Sequence, residues 1–344
     1  MHYAVTDSQL SLEFDNGEPP RAAEREAKPR AKPKAATKPI PAAPMSVPDM
    51  AALVAAHSDY RVLRRLQPVH HFARVAQGPV TRVVVLDTET TGLNHATDKI
   101  IELALLRVDV DTATGLPVGE VSVYDGLEDP GRPVSAEIQA ITGISTDMVK
   151  GKHLDEALIA TLLSNVDLVI AHNAAFDRPF CEARLPVFAQ LAWGCSFADI
   201  DWKAEGQGSA KLESLALNKG WFYDAHRAEV DCHALLAVLA EPLPQSGQTG
   251  LAKIMAASQS PSFRLQATNA PFDAKDLLKA RAYRWNAEQR VWHTRLVDEA
   301  QLNAELTWLK SAVYANSPAR VQVEKLDAQV NYSSRVGTLG MSQL

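Results

Sequence analysis

Val83-Val84-Val85-Leu86 is an apolar run, rich in β-branched residues, that ends on Asp87-Thr88-Glu89-Thr90-Thr91-Gly92. β-Branched residues favour a pleated, buried strand, so the run predicts a core strand over 82–87. Side chains along a strand alternate between its faces, and Asp87 and Glu89 therefore share one. Two carboxylates so close repel each other, and burial beside an apolar run raises the cost. A pair of divalent cations is the simplest agent that holds such a pair together. Any fold open to this chain must bring compensating groups to the end of one buried strand.

Composition narrows the classes further. A chain of 344 residues is long enough for two domains and a sizeable core. No apolar run approaches the ~20 residues that span a bilayer. Residues 1–7 have neither the basic start nor the apolar centre of a signal peptide. Cys181, Cys195 and Cys232 are odd in number and lack metal-ligand spacing, which predicts reduced thiols in a cytoplasmic protein. The formal net charge of −6 conceals an asymmetry. Residues 80–241 carry 12 Lys and Arg against 25 Asp and Glu, a local net of −13, while residues 19–44 carry +5 and residues 275–295 carry +4. An acidic middle between basic pieces is the balance that function has to explain.

Five segments follow in order. Residues 1–45 hold seven prolines after Glu18 and almost nothing apolar, which predicts a disordered, extended tail. Near its start, Gln9-Leu10-Ser11-Leu12-Glu13-Phe14 is an amphipathic hexapeptide on a tether, a common arrangement for docking a short motif. The hexapeptide resembles the motif by which bacterial proteins bind the DNA sliding clamp, which implies that partner and contacts from Gln9, Leu10, Leu12 and Phe14. Residues 46–80 read as a helical lead-in. Its first helix is capped by Ser46, and a second, short one covers 59–66. Arg61, Arg64 and Arg65 there either face solvent or touch phosphate.

Residues 81–241 read as an α/β domain. Strands are expected over 82–87, 100–110 and 118–124, with Gly115-Leu116-Pro117 as a hairpin turn. A helix near 154–163 follows, then the buried strand Asp167-Leu168-Val169-Ile170-Ala171. Antiparallel strands followed by helix–strand alternation predict a mixed sheet flanked by helices. Asp177 opens a helix where that buried strand stops, and ligand groups gather at such points in open α/β sheets. Another short strand is expected over 195–199. Leu212, Leu215 and Leu217 belong to a helix ended by Gly220. His226 stands five residues before Asp231, with a helix start between them.

Asp87-x-Glu89-Thr90-Thr91-Gly92, His172-Asn173-x-x-Phe176-Asp177 and His226-Arg227-Ala228-x-x-Asp231 have the order and spacing of the three motifs of the DEDDh 3′→5′ exonucleases. Residues 81–241 resemble that family, which includes the proofreading epsilon subunit of bacterial DNA polymerase III and ribonuclease T. A sister class has Tyr four residues before the last Asp, where this chain has Arg227. The resemblance implies a ribonuclease-H-like fold. It also implies two Mg²⁺ or Mn²⁺ held by Asp87, Glu89, Asp177 and Asp231, with Asp87 bridging them. His226 would be the general base, and nucleoside 5′-monophosphates the products. Thr88, Thr91, Gly92 and Leu93 are expected to form the terminal-nucleotide pocket. Glu137 and Thr142 fall where family members contact the terminal sugar, and Phe176 is either core or a stacking platform. The residue chemistry agrees by itself: four carboxylates and no Cys/His cluster suit Mg²⁺ or Mn²⁺ rather than zinc. An imidazole is also the natural general base near neutral pH.

Pro242-Leu243-Pro244 and the glycines after it mark a boundary. Residues 251–330 read as a small α+β module with helices near 251–257 and 298–314 and strands near 263–267 and 290–293. Tyr283, Trp285 and Trp292 are interleaved with Lys279, Arg281, Arg284 and Arg290. They either stack bases and neutralise phosphates or fill a small core. Residues 331–344 read as a disordered tail. The expected function is a metal-dependent exonuclease acting on single-stranded 3′ ends of DNA, in repair or proofreading. An RNA 3′ exonuclease of the ribonuclease T type and a catalytically idle adaptor for nucleic acid or the clamp are the alternatives. The domain's acidity opposes phosphate binding, so metals and the basic flanks have to supply positive charge.

Overall fold

The computed structural model describes residues 45–344, so Gln9, Leu10, Leu12 and Phe14 lie outside the described residues. The lead-in holds α1 (Val47–Ala55). The helix expected over 59–66 does not form. Instead β1 (Arg64–Arg65) pairs in parallel with Trp221–Phe222. Arg65 lies 4.9 Å from the centre of the Phe222 ring and bonds Asp224 at 2.8 Å, and Arg61 donates to the Leu217 carbonyl. A helix that short closes few backbone bonds for its nucleation cost, and these long-range partners outweigh it.

A six-stranded sheet carries the next domain. Its strands are β2 (His71–Phe72), β3 (Val80–Thr90), β4 (Ile100–Asp111), β5 (Pro117–Leu127), β6 (Leu168–Ala171) and β7 (Trp193–Cys195), in the order β2-β5-β4-β3-β6-β7. β4 is antiparallel to β3 and β5, while β6 is parallel to β3 and β7 to β6. This is the mixed sheet of a ribonuclease-H-like fold. Along the chain come α2 (Ala136–Thr142), α3 (Thr146–Val149), α4 (Glu156–Leu163), α5 (Ala174–Arg184), α6 (Leu212–Asn218), β8 (Trp221–Phe222), α7 (Ala228–Ala240) and α8 (Gly250–Ser258). The short strand expected over 195–199 ends at Cys195, and a turn follows it.

β3 sits between two cores. Val83 and Val85 pack into the cluster that holds Ala228, Cys232 and Leu235 of α7. Val84 and Leu86 pack into the cluster that holds Ala174, Phe180 and Cys181 of α5. All four strand residues are fully buried, and each contributes about 1.5–3 kcal/mol. Strand alternation then places Asp87 and Glu89 on the α7 side and Thr88 on the α5 side.

The C-terminal module is a five-stranded antiparallel sheet with helices on one face. It contains β9 (Ser262–Ala267), α9 (Lys275–Ala280), β10 (Arg284–Asn286), β11 (Val291–Leu296), α10 (Glu299–Trp308), β12 (Arg320–Leu326) and β13 (Thr338–Gln343), in strand order β10-β11-β9-β12-β13. The tail expected to be disordered over 331–344 is therefore partly a strand, because β12 offers β13 a complete antiparallel partner. Leu265, Leu278, Leu309 and Val321 are buried in the module's core. Tyr283 joins them and Trp292 packs against them, whereas Trp285 remains half exposed against Trp292. Arg281 is committed to Glu305 through a bidentate pair at 2.9–3.0 Å.

Arg178 of α5 fastens the module to the nuclease sheet. Its side chain is fully buried, and its guanidinium donates to the carbonyls of Ala328, Gln329 and Asn331, while Nε donates to Glu182 at 2.6 Å. The backbone N–H of Trp193, on edge strand β7, donates to the Ala328 carbonyl at 2.8 Å. No helix among the described residues is long and apolar enough to cross a membrane. Removing one partner from a buried charged network costs about 3–5 kcal/mol. Arg178→Ala is expected to lower the urea midpoint accordingly, and Arg178→Lys, which lacks the planar fork, to restore little of it.

Candidate active site

Three elements deliver four carboxylates to the end of β3. Asp87 and Glu89 come from the strand itself, Asp231 from the first turns of α7 and Asp177 from the first turn of α5. Oxygens of Asp87, Glu89 and Asp231 all lie within 4.8 Å of one another. Asp177 is buried and accepts the Thr88 hydroxyl at 2.8 Å. It therefore reaches the cluster from the opposite face of the strand.

Backbone geometry supports each arm. Asn173 precedes α5 with φ 66, in the left-handed region, which Asn tolerates better than most residues. His226 also lies there, with φ 67. Its N–H and that of Arg227 donate to the same Asp231 oxygen, at 2.8 and 3.1 Å. Asp231 thus closes the start of its own helix while its carboxylate stays in the cluster. His226 is held beside Asp231 by that backbone contact, with its side chain exposed.

Sequence reasoning missed the support behind this arm. Glu102 lies directly across from Glu89 in the β3–β4 register and is fully buried. It accepts Arg227 Nε at 2.9 Å, Arg227 Nη2 at 2.6 Å and the Ala228 N–H at 2.9 Å. The pair pins the first residue of α7 to the sheet. The signal was a lone carboxylate inside Ile100-Ile101-Glu102-Leu103-Ala104, since a fully buried Glu needs a partner.

The electrostatics are those of crowded acids. Burial pushes the Asp87 carboxyl well above its usual range, and Asp177, Asp231, Glu89 and Glu102 push it further. Burial, Asp231, Glu102 and Asp177 raise Glu89 to about 8, against the opposing charge of Arg227. Burial raises Asp177 to about 7 in spite of the Thr88 hydrogen bond. It raises Asp231 as well, against the two N–H donors. Burial lowers His172 to about 4, so it stays neutral, with Nδ1 2.8 Å from the Ser196 hydroxyl. An all-oxygen donor set fits hard divalent cations.

Residues 84–239 match the family model described as exonuclease, RNase_T. The match lies within the domain built on β3 to β7 and α2 to α7. Its motifs are those of the DEDDh 3′→5′ class. DNA polymerase III PolC-type from Thermotoga maritima is 33% identical over 137 residues, which cover 39% of this chain and 9% of that relative. The protein of the same name from Bacillus subtilis is 37% identical over 100 residues, 28% of this chain and 6% of the relative. The chain thus spans under a tenth of the length of these curated relatives. Among solved structures, exonuclease X in complex with 5′ overhanging duplex DNA aligns with 50% of this chain and 98% of its own at 25% identity and a TM-score of 0.38. An E. coli exonuclease I–single-stranded DNA complex aligns with 54% of this chain and 48% of its own at 19% identity and a TM-score of 0.39.

The remaining residues of the exonuclease domain divide into inward and outward groups. The Thr88 hydroxyl donates to Asp177, and the Thr142 hydroxyl donates to the Ile138 carbonyl and accepts the Ile144 N–H. Phe176 packs against the core, 5.1 Å from Phe180. Thr91, Gly92 and Leu93 form a loop braced by Asp98, which bonds the Asn94 N–H and Arg132. A Cβ at Gly92 would come within 2.5 Å of the Asp98 carboxylate, so a side chain there would have to displace it. Leu93 is 86% exposed at the tip and Glu137 is exposed on the first turn of α2.

A raised carboxyl pKa in the folded state stabilises the fold at low pH, and that contribution is lost as pH rises. For Glu89 the window runs from 4.5, its ordinary value, to about 8. Cations compete with those protons. Mn²⁺ added to EDTA-treated protein should therefore raise Tm more near pH 8 than near pH 5, and Glu89→Gln should flatten that difference in a calorimetric series.

Proposed function

We propose that the chain removes nucleotides from 3′ ends of DNA, preferably single-stranded, by two-metal hydrolysis with Mg²⁺ or Mn²⁺. The single observation that carries this reading is the gathering of Asp87, Glu89 and Asp231 oxygens within 4.8 Å, with Asp177 on the adjoining face. Divalent cations held there supply the positive charge that offsets the acids and polarises the scissile phosphate. The protein's own groups do the rest. Asp177, held by Thr88, and Asp231, held by two N–H groups, have little freedom to turn away. His226 takes the proton of the attacking water, and the departing 3′ oxygen leaves a nucleoside 5′-monophosphate. Leu93 offers the terminal base an apolar contact, and the loop from Thr91 offers backbone donors. Glu102 and Arg227 position α7 without touching substrate.

The polymerase names of the relatives favour DNA and proofreading or repair. The RNase_T name of the family model keeps RNA as the second reading. A complete set of acids argues against an idle adaptor. Hydrolysis of 3′-labelled single-stranded DNA and RNA, with Mg²⁺, Mn²⁺ or EDTA, tests the proposal. Asp87→Ala is expected to lower kcat by at least ~10³-fold and His226→Gln by about 10²–10⁴-fold. Glu102→Gln should lower kcat about tenfold with KM nearly unchanged, because it acts through position. Metal-independent cleavage, or full activity in Asp87→Ala, would overturn the enzyme reading. The proposed sliding-clamp contact through Gln9, Leu10, Leu12 and Phe14 predicts that residues 1–20 capture the clamp and that Leu12→Ala with Phe14→Ala loses it.

A further inference from the structure

The exonuclease domain commits its own arginines internally. Of the six between Thr81 and Glu241, Arg82, Arg132, Arg178, Arg184 and Arg227 pair with carboxylates, and Arg107 bonds the Thr161 and Leu162 carbonyls. Polynucleotide binding depends mainly on neutralising phosphates, and a domain with 12 Lys and Arg against 25 Asp and Glu is by itself a poor source of that charge. A further source is the second face of the C-terminal sheet. Phe263, Leu265 and Leu296 turn to the helices, and strand alternation turns the intervening residues the other way. Across the five strands, Arg284, His293, Gln266, Gln322 and Met341 form one cross-strand row. Arg320 lies on the same face, and Glu324 is its buried acid, bonded to Arg264 at 2.7 Å. Arg284 and Arg320 are exposed and make no ion pair among the described residues. Burial and the nearby charges of Arg264 and Arg284 push the His293 imidazole below its usual range. Leu339 and Met341 are more than half exposed at the edge.

This face continues toward the active-site loop. A cleft of about 280 Å³ is lined by His95, Ala175 and Pro179 from the nuclease domain and by Arg264, Arg295 and Tyr332 from the module. His95 follows Leu93 on the same loop, and its Nε2 lies 3.4 Å from the Ser334 hydroxyl. Arg295 bonds Asp199 at 3.1 Å, which fixes the sheet against the nuclease domain. The helix side of the module is a poorer candidate, since Tyr283, Trp292 and Arg281 are spent on packing and on Glu305.

We propose that the helix-free face of the C-terminal sheet is a docking surface for the single-stranded part of the polynucleotide whose 3′ end the exonuclease domain cuts. The proposal rests on the exonuclease reading for the cut end only. Its polar row offers donors to phosphates and base edges, Arg284 and Arg320 supply charge, and Leu339 and Met341 offer apolar contact to unstacked bases. With strands about 4.8 Å apart, the row is roughly 19 Å long, a length that a strand of many nucleotides can follow and a dinucleotide held at the carboxylates cannot.

The test is Arg284→Glu with Arg320→Glu in the full chain, with Arg284→Gln and Arg320→Gln as a milder pair. Binding of a labelled strand of about 20 nucleotides is measured by anisotropy in an Asp87→Ala background, so hydrolysis plays no part. The charge reversal is expected to weaken binding at least ~10-fold and to reduce the salt slope by about 1.4, for two lost phosphate contacts. In active protein, KM for the long strand should rise by a similar factor while dinucleotide hydrolysis stays unchanged. Binding within twofold of the parent overturns the proposal, and so does an equal loss in Lys279→Glu on the helix side. A parent that binds the strand, loses it in the double variant and cuts nothing supports the surface and overturns the exonuclease reading. A parent that does not bind overturns the surface.

Discussion

Four carboxylates meet at the end of a strand buried on both faces, and the fold depends on tolerating them. Two like charges 4 Å apart cost about 4 kcal/mol at the effective dielectric of a protein surface. A few such contacts rival the whole stability of a domain, about 5–15 kcal/mol. The raised pKa values of Asp87, Glu89, Asp177 and Asp231 express this strain as retained protons. The surrounding structure resists it in a way that side-chain rotation cannot undo. Val83 to Leu86 anchor the strand between two cores, Thr88 and the His226 and Arg227 N–H groups hold two of the acids, and Glu102 ties down α7. Under the proposed reading, divalent cations would offset the same charges.

Most arginines in both halves of the molecule answer acids, and a few in the module do not. In the exonuclease domain arginine answers acids and free carbonyls, most completely at Arg178, where one guanidinium secures the segment that joins β12 to β13. In the module, Arg281 is spent on Glu305, but Arg284 and Arg320 stand on a face with little opposing charge. The crowded acids and the module's unpaired Arg284 and Arg320 thereby lie on separate elements.

The legible parts of the sequence were those where local pattern and tertiary need coincide. β3 follows from its β-branched run, and the three motifs follow from their spacing. The illegible parts were short. Residues 64–65 became a strand because Phe222 and Asp224 are nearby only after folding. β13 has weak local preference and exists because β12 has an edge to fill. The Thr88 hydroxyl meets Asp177 only because α5 is brought to that face of β3.

The sequence alone determined the chemistry on offer: acids at Asp87, Glu89, Asp177 and Asp231, a histidine at His226, and an excess of negative charge around them. Those are properties of residue type and order, and period-two alternation suffices to put the first pair on one face. Only the tertiary structure decided that Asp231 joins that pair from α7 while Asp177 comes from the opposite face. It alone decided that Glu102 and Arg227 support the site, and that Arg284 and Arg320 lie on one face of the module's sheet. These outcomes depend on contacts between residues far apart in the chain, such as Arg227 with Glu102, 125 positions away, and a local pattern carries no record of them.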